Sequence, residues 1–280
     1  MKNCLSFIII LLAGCTQRLP ETAQATHAQP AMHQPCKEFT VTPDTMMNIS
    51  GGSYFPLYGR DSSLITVRDF YLDVFPVTND QYLQFLKIHP AWRRSMVKDL
   101  FADGQYLSHW VNDTTYQKTQ NGSSPVTTIS WFAARAYCTC LGKRLPTLDE
   151  WEYVAMADEN MADARTQDTF NQYILHQYEK PKSYLGVVGS SPKNYYGVHD
   201  LHGLVWEWTE DFNSVMISGE SRKDGNNDPD LFCGSGSLGS SDLMNYAAFM
   251  RYAFRGSLKA NYSIRNLGFR CAKDSNPNEI

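Results

Sequence analysis

The side chains able to do chemistry in this chain are few and widely spread. Seven cysteines stand at 4, 15, 36, 138, 140, 233 and 271. Cys138 and Cys140 are close, but on a helix residues two apart point to nearly opposite sides, and there is no CxxC. His199 and His202 form a close imidazole pair without a third histidine nearby. They read as loop or surface residues rather than as ligands of a non-haem iron, which needs more donors. Asp200 and Glu207 offer carboxylate oxygens of the kind calcium takes. His27, Met32, His33 and Cys36 are soft or borderline ligands that could hold copper, although a solvated linker with incidental histidines is the simpler reading of that stretch. Met244 and Met250, six apart among aromatics, read as core. No hydrolase triad and no phosphate-binding loop is present.

Three helices carry start signals strong enough to position such groups. Thr78 with Gln81 forms a capping box, Tyr82, Phe85 and Leu86 then share one face, and Pro90 ends the helix. A second helix begins near Ser130, repeats Ala134, Tyr137, Cys138 and Leu141, and stops at Gly142. The third begins at Thr147 with Glu150 completing its capping box, followed by Trp151, Val154 and Ala155. Short apolar pieces such as Ile65–Val67 and Phe70–Leu72 read as strands between turns. From Tyr184 onward Gly, Ser, Asn and aromatics dominate, predicting loops packed on rings. The expectation is an irregular α+β domain without internal repeats.

Composition sets the outer limits. The 280 residues carry 25 Lys+Arg against 29 Asp+Glu, and the absence of a basic block argues against a nucleic-acid partner. Hydrophobic residues at 42% and charged ones at 19% suit a compact domain. No run approaches the roughly 20 apolar residues of a spanning helix, so membrane attachment requires a lipid. The first residues, MKNCLSFIIILLAGC, supply one: Lys2 is a positive n-region, Leu5–Ala13 an apolar h-region, and Leu12-Ala13-Gly14-Cys15 has the form of a bacterial lipobox. Residues 1–14 are then a lipoprotein signal peptide and Cys15 the acylated mature terminus, held by more than one chain. Without an Asp next to the cysteine, the sorting pattern favours the outer membrane. Residues 15–43 read as a flexible tether, 44–274 as the folded domain and 275–280 as a tail.

Four blocks in order carry a family resemblance: Phe75-Pro76-Val77-Thr78-Asn79; Pro125-Val126 through Ser130-Trp131 and Ala136-Tyr137-Cys138 to Arg144-Leu145-Pro146-Thr147 and Glu150-Trp151-Glu152; Gly203-Leu204-Val205-Trp206-Glu207-Trp208; and Asn266-Leu267-Gly268-Phe269-Arg270-Cys271-Ala272. Together they resemble the formylglycine-generating enzyme family, also called sulfatase-modifying factors. The second half, with Leu231-Phe232-Cys233-Gly234 and Phe249–Arg255, is similar to the branch containing NirV, a denitrification accessory protein. The resemblance implies a C-type-lectin-related fold with little regular secondary structure.

Enzymes of that family oxidise a sulfatase cysteine to formylglycine with copper held by two cysteines, since copper(I) prefers thiolates. Counting back from the last block, those positions fall at Asp242 and Ala247, and Gly234–Arg255 contains no cysteine. Family-type copper binding and oxidase activity are therefore not expected. A groove edged by Asp242, Asn245, Tyr246, Arg251 and Arg255 remains as a candidate peptide site, unless the arginines pair with core carboxylates. The resemblance implies a Cys138–Cys271 disulfide, and maps a second family bridge to Ala155 and Tyr252. Cys140 can pair with Cys233, leaving Cys36 over, although connectivity does not follow from sequence. It also implies a calcium loop with Asp200, Gly203, Val205 and Glu207 as ligands, against a solvated acidic loop as the alternative. The functional expectation is a binding or maturation factor for a periplasmic redox protein, tethered to the membrane by lipid alone. The alternatives are an oxidoreductase of this family with a different metal-ligand set and a purely structural envelope lipoprotein.

Overall fold

The computed structural model describes residues 36, 39–41, 45–57, 63–180, 182–214 and 243–275. Cys15, Cys233 and Asp242 lie outside the described residues. Helices and short strands mix, and most of the chain runs in turns between them.

All three capping signals form. Helix α1, Asn79–Ile88, is capped by the Thr78–Gln81 box and buries Tyr82, Phe85 and Leu86. Helix α2, Trp131–Cys140, has the Ser130 hydroxyl accepting from the Ala133 N–H, and Gly142 takes the left-handed conformation that ends it. Helix α3, Leu148–Ala155, has the reciprocal Thr147–Glu150 box. Two further helices were not expected. Helix α4, Asp168–Glu179, starts at Gln167 with no side-chain cap, so it lacks the usual start signal. Helix α5, Leu243–Gly256, corrects the loop-only reading of the second half.

The strands are short. β1 (Met46–Ile49), β4 (Phe70–Asp73) and β9 (Ala272–Asp274) form an antiparallel sheet with β4 central. β2 (Gly52–Tyr54) pairs with β3 (Ile65–Val67), and β5 (Trp110–Asn112) with β6 (Thr115–Tyr116). β7 (Trp206–Glu207) lies parallel to β8 (Leu267–Gly268), bringing two of the sequence blocks side by side.

Among the described residues the largest apolar cluster joins α1, α2 and the C-terminal block through rings including Tyr82, Phe85, Tyr137, Trp208 and Phe269. A second gathers Ile49, Phe70, Leu72, Trp151 and Val154. A third contains only Ala164, Phe170, Ile174 and Ala247, where α4 meets α5.

Two disulfides staple the large cluster. Cys138–Cys271 joins α2 to the residue before β9. Cys140 is bonded to Cys36, not to Cys233. The expected tether therefore ends earlier than residue 43. The Cys36 N–H donates to the Cys140 carbonyl at 2.8 Å, and Phe39 and Val41 are buried in the large cluster, with Phe39 against Phe85 and Tyr137. Burying one such ring contributes about 1.5–3 kcal/mol, enough to hold this stretch on the domain.

Candidate functional site

Helix α3 is buried on more than one side, and among its buried residues is Glu152. A buried carboxylate needs cationic partners. Helix α5 supplies them from Arg251 and Arg255, four apart and so on one face. Arg251 Nε and Nη2 donate to Glu152 at 2.9 and 2.7 Å, and Arg255 Nη1 at 2.7 Å. Burial alone would raise the Glu152 pKa, but the two guanidiniums win and lower it to about 2. The Arg255 guanidinium also lies 4.5 Å from the Trp151 ring centroid, a cation–π contact away from solvent.

Trp151 connects this cluster to a second. Its Nε1 donates to Glu207 at 2.8 Å, and Glu207 is gripped on both oxygens by Arg270 Nε and Nη2, each at 2.8 Å. Both partners of that pair have side chains of zero exposure. Arg270 also donates to the carbonyls of Asp73, Val74 and His199. On the other side, Arg251 Nη1 donates to the Tyr178 hydroxyl at 3.4 Å. Tyr178 lies 3.1 Å from His202 Nδ1, and His202 Nε2 lies 2.8 Å from the Ala155 carbonyl. A carbonyl only accepts, so Nε2 carries the ring proton and Nδ1 accepts from Tyr178. Burial, reinforced by Arg251, lowers the His202 pKa to about 4; His202 is a neutral core histidine.

Beside this network Ala247 is 1% exposed, packed with Ala164, Phe170 and Ile174. The cavity it lines with Glu152, Arg251, Ala155 and Tyr252 has a volume of about 20 Å³, room for about one water. Ala155 and Tyr252 therefore face the same small space.

A sequence profile described as the sulfatase-modifying factor enzyme 1-like domain matches residues 31–275. The chain belongs to the sulfatase-modifying factor family. The inactive C-alpha-formylglycine-generating enzyme 2 of Bos taurus is 30% identical over 246 residues, covering 74% of this chain and 78% of that protein. The formylglycine-generating enzyme of Bos taurus is 34% identical over 261 residues, covering 76% and 68%. Among solved structures, PvdO from Pseudomonas aeruginosa matches at 19% identity with a TM-score of 0.45, over 82% of this chain and 94% of that one; so slight a likeness carries no argument. A relative named as an enzyme and one named as inactive are thus both similar to this sulfatase-modifying-factor domain.

Of the expected groove, Tyr246 is 38% exposed, while Arg251 and Arg255 are buried at 7% and 2%. The arginines do not edge a peptide groove as free cations, because Glu152 takes both. The signal was present in the sequence: two arginines at helical spacing match one glutamate set between Trp151 and Tyr153, provided residues 243–256 are read as a helix.

The two carboxylates expected to bind calcium are engaged by protein donors in this arrangement. Three protein donors occupy the two Glu207 oxygens, and a cation on the remaining lone pair would sit against the Arg270 guanidinium. The Asp200 carboxylate instead latches its own loop, accepting from the Gly189 and Ser191 N–H groups. Gly203 serves the packing: its φ is +93°, and a Cβ there would fall 2.4 Å from Gln177 Cβ. Val205 is buried beside it in sequence. The imidazoles of His199 and His202 have separate partners, His199 Nδ1 bonding the Ser191 carbonyl at 2.7 Å.

Proposed function

We propose that this protein is a non-catalytic sulfatase-modifying-factor-like accessory factor, lipid-anchored at Cys15 on the periplasmic face of the outer membrane, that binds or matures a periplasmic redox protein. One observation supports the non-catalytic part above all: Ala247, where the family resemblance places a copper-binding cysteine, is packed into an apolar cluster beside a cavity of about 20 Å³. Alanine offers no donor to copper and no nucleophile. The arginines one and two turns further along α5 are buried and share Glu152, so neither is presented to a substrate as a free surface cation. The similarity to a relative named inactive agrees with this reading. The anchor rests on the lipobox, and the redox partner on the NirV-like second half.

Two measurements test the proposal. Coexpression with a sulfatase, in cells lacking their own modifying enzyme, should leave the sulfatase inactive; an active sulfatase overturns the non-catalytic reading. Cys15→Ser should abolish palmitate labelling and membrane fractionation, and a variant that still labels and sediments overturns the anchor.

A further inference from the structure

The Cys36–Cys140 bridge has a histidine against it. Cys140 ends α2, and His89 ends α1 as its cap, its N–H bonded to the Phe85 carbonyl. The two helix ends meet so that His89 Nε2 lies 3.1 Å from Cys140 Sγ. The donor atoms of Cys36, His89 and Cys140 all fall within 4.8 Å of one another, the only such trio of His, Cys, Asp or Glu side chains among the described residues. Cys36 and His89 are partly exposed. The Cys138–Cys271 bridge, two residues away on the same helix, has both residues at 0% exposure.

We infer that Cys36, His89 and Cys140 form a redox-gated site for a thiophilic d10 cation, copper(I) foremost: closed as a disulfide, and open to the metal once the bridge is reduced. It is distinct from the family's active-site copper, of whose two cysteine positions one maps to Ala247 on α5. The scaffold keeps the three donors together after the sulfur–sulfur bond breaks. Cys36 remains tied by its N–H to the Cys140 carbonyl, and Phe39 and Val41 stay buried just after it. The Cys138–Cys271 bond and the caps hold both helix ends. Two thiolates and an imidazole are a complete set for copper(I), which thiolates select, whereas zinc asks for a fourth ligand.

The chemistry balances with a dithiol as reductant. One dithiol sulfur attacks the bridge and the second closes the reductant's own disulfide; two electrons and two protons pass to Cys36 and Cys140. Copper(I) then displaces the two thiol protons and takes both sulfurs and the His89 ring nitrogen. In the oxidised state the sulfurs are bonded to each other and the thiolate site does not exist.

The test uses the full chain with Cys4, Cys15 and Cys233 each replaced by Ser, so that only the two bridges remain. A mild dithiol should open Cys36–Cys140 while Cys138–Cys271 stays closed, as read by alkylation and peptide mapping. After anaerobic removal of the dithiol, copper(I) is titrated against a chromophoric chelator, and zinc against its own indicator. The expected result is one copper(I) withheld per reduced chain, none per oxidised chain, and a weaker hold on zinc. Outer-shell substitutions at metal sites already weaken binding by about 10–100-fold, so His89→Ala should weaken it by roughly tenfold or more, and Cys140→Ser should abolish it. The inference is overturned if both bridges open together, if the reduced chain withholds no copper, if zinc is held more tightly, or if His89→Ala binds as the parent does. None of these outcomes depends on whether the α5 site is catalytic.

Discussion

Two buried glutamates serve different regions on either side of Trp151, which donates to Glu207 and carries Arg255, the partner of Glu152, over its ring. Glu207, paired with Arg270, sits where β7, the end of β4 and the C-terminal block converge, and Arg270 also holds three backbone carbonyls. That region is backed by the largest apolar cluster and by a bridge of sequence separation 133. Glu152, paired with Arg251 and Arg255, ties α3 to α5, where the neighbouring cluster has four buried residues. The framework joins a carboxylate pair to the largest cluster and a disulfide, whereas on the site side the two arginines share one carboxylate beside a small apolar cluster.

The largest effect should come from the framework. Replacing Cys138 and Cys271 together by Ala releases a long loop in the unfolded chain, a loss of about 4–5 kcal/mol by chain entropy. The denaturation midpoint should fall for every probe together; a loss below about 1 kcal/mol would mean that packing, not the bridge, holds the block in place.

Glu152→Ala strands two buried guanidiniums, and breaking such a pair costs about 3–5 kcal/mol. The loss should be regional. Hydrogen exchange should quicken in α4 and α5 while α1 and α2 keep their protection, since small clusters open sub-globally. The matching Glu207→Ala should instead quicken exchange throughout. Uniform loss in both variants would erase the distinction between the two regions.

Acid should act on the site side through His202. Burial lowers the pKa of His202 to about 4 from its ordinary 6.5, so the unfolded chain binds the proton first as pH falls. Native stability is then full above 6.5, declines between 6.5 and about 4, and changes no further through this group below that. The shift corresponds to roughly 3 kcal/mol, and His202→Gln should flatten that part of the melting profile. His109, also lowered to about 4 by burial, shares the window and keeps some slope. A variant with the parent's full slope would show that His202 does not titrate as described.

The smallest expected effect is none at all: calcium and chelator should leave the melting temperature unchanged. A specific ion would raise it by mass action, and such a rise would mean that Glu207 exchanges Arg270 for the metal.

The three capped helices were legible because each start signal is local: an Ser or Thr hydroxyl meets an N–H three residues on. Cys138–Cys271 was legible through the family blocks. Helix α4 was hidden because Gln167 caps with no side chain, and α5 because its aromatics resemble loop packing until Arg251 and Arg255 are read as one face. The Cys36–Cys140 partnership was hidden in a polar stretch whose buried anchors among the described residues are Phe39 and Val41. The pairing of Glu207 with Arg270, 63 residues away, was hidden because no local spacing links the two residues.

The central claim is that the α5 site carries no oxidase chemistry. The purified protein, supplied with copper and oxygen, should be incubated with a Cys-x-Pro-x-Arg peptide and the peptide read by mass spectrometry. The account predicts recovery of the unchanged thiol at all times. Appearance of the aldehyde, with loss of the thiol mass, would contradict it.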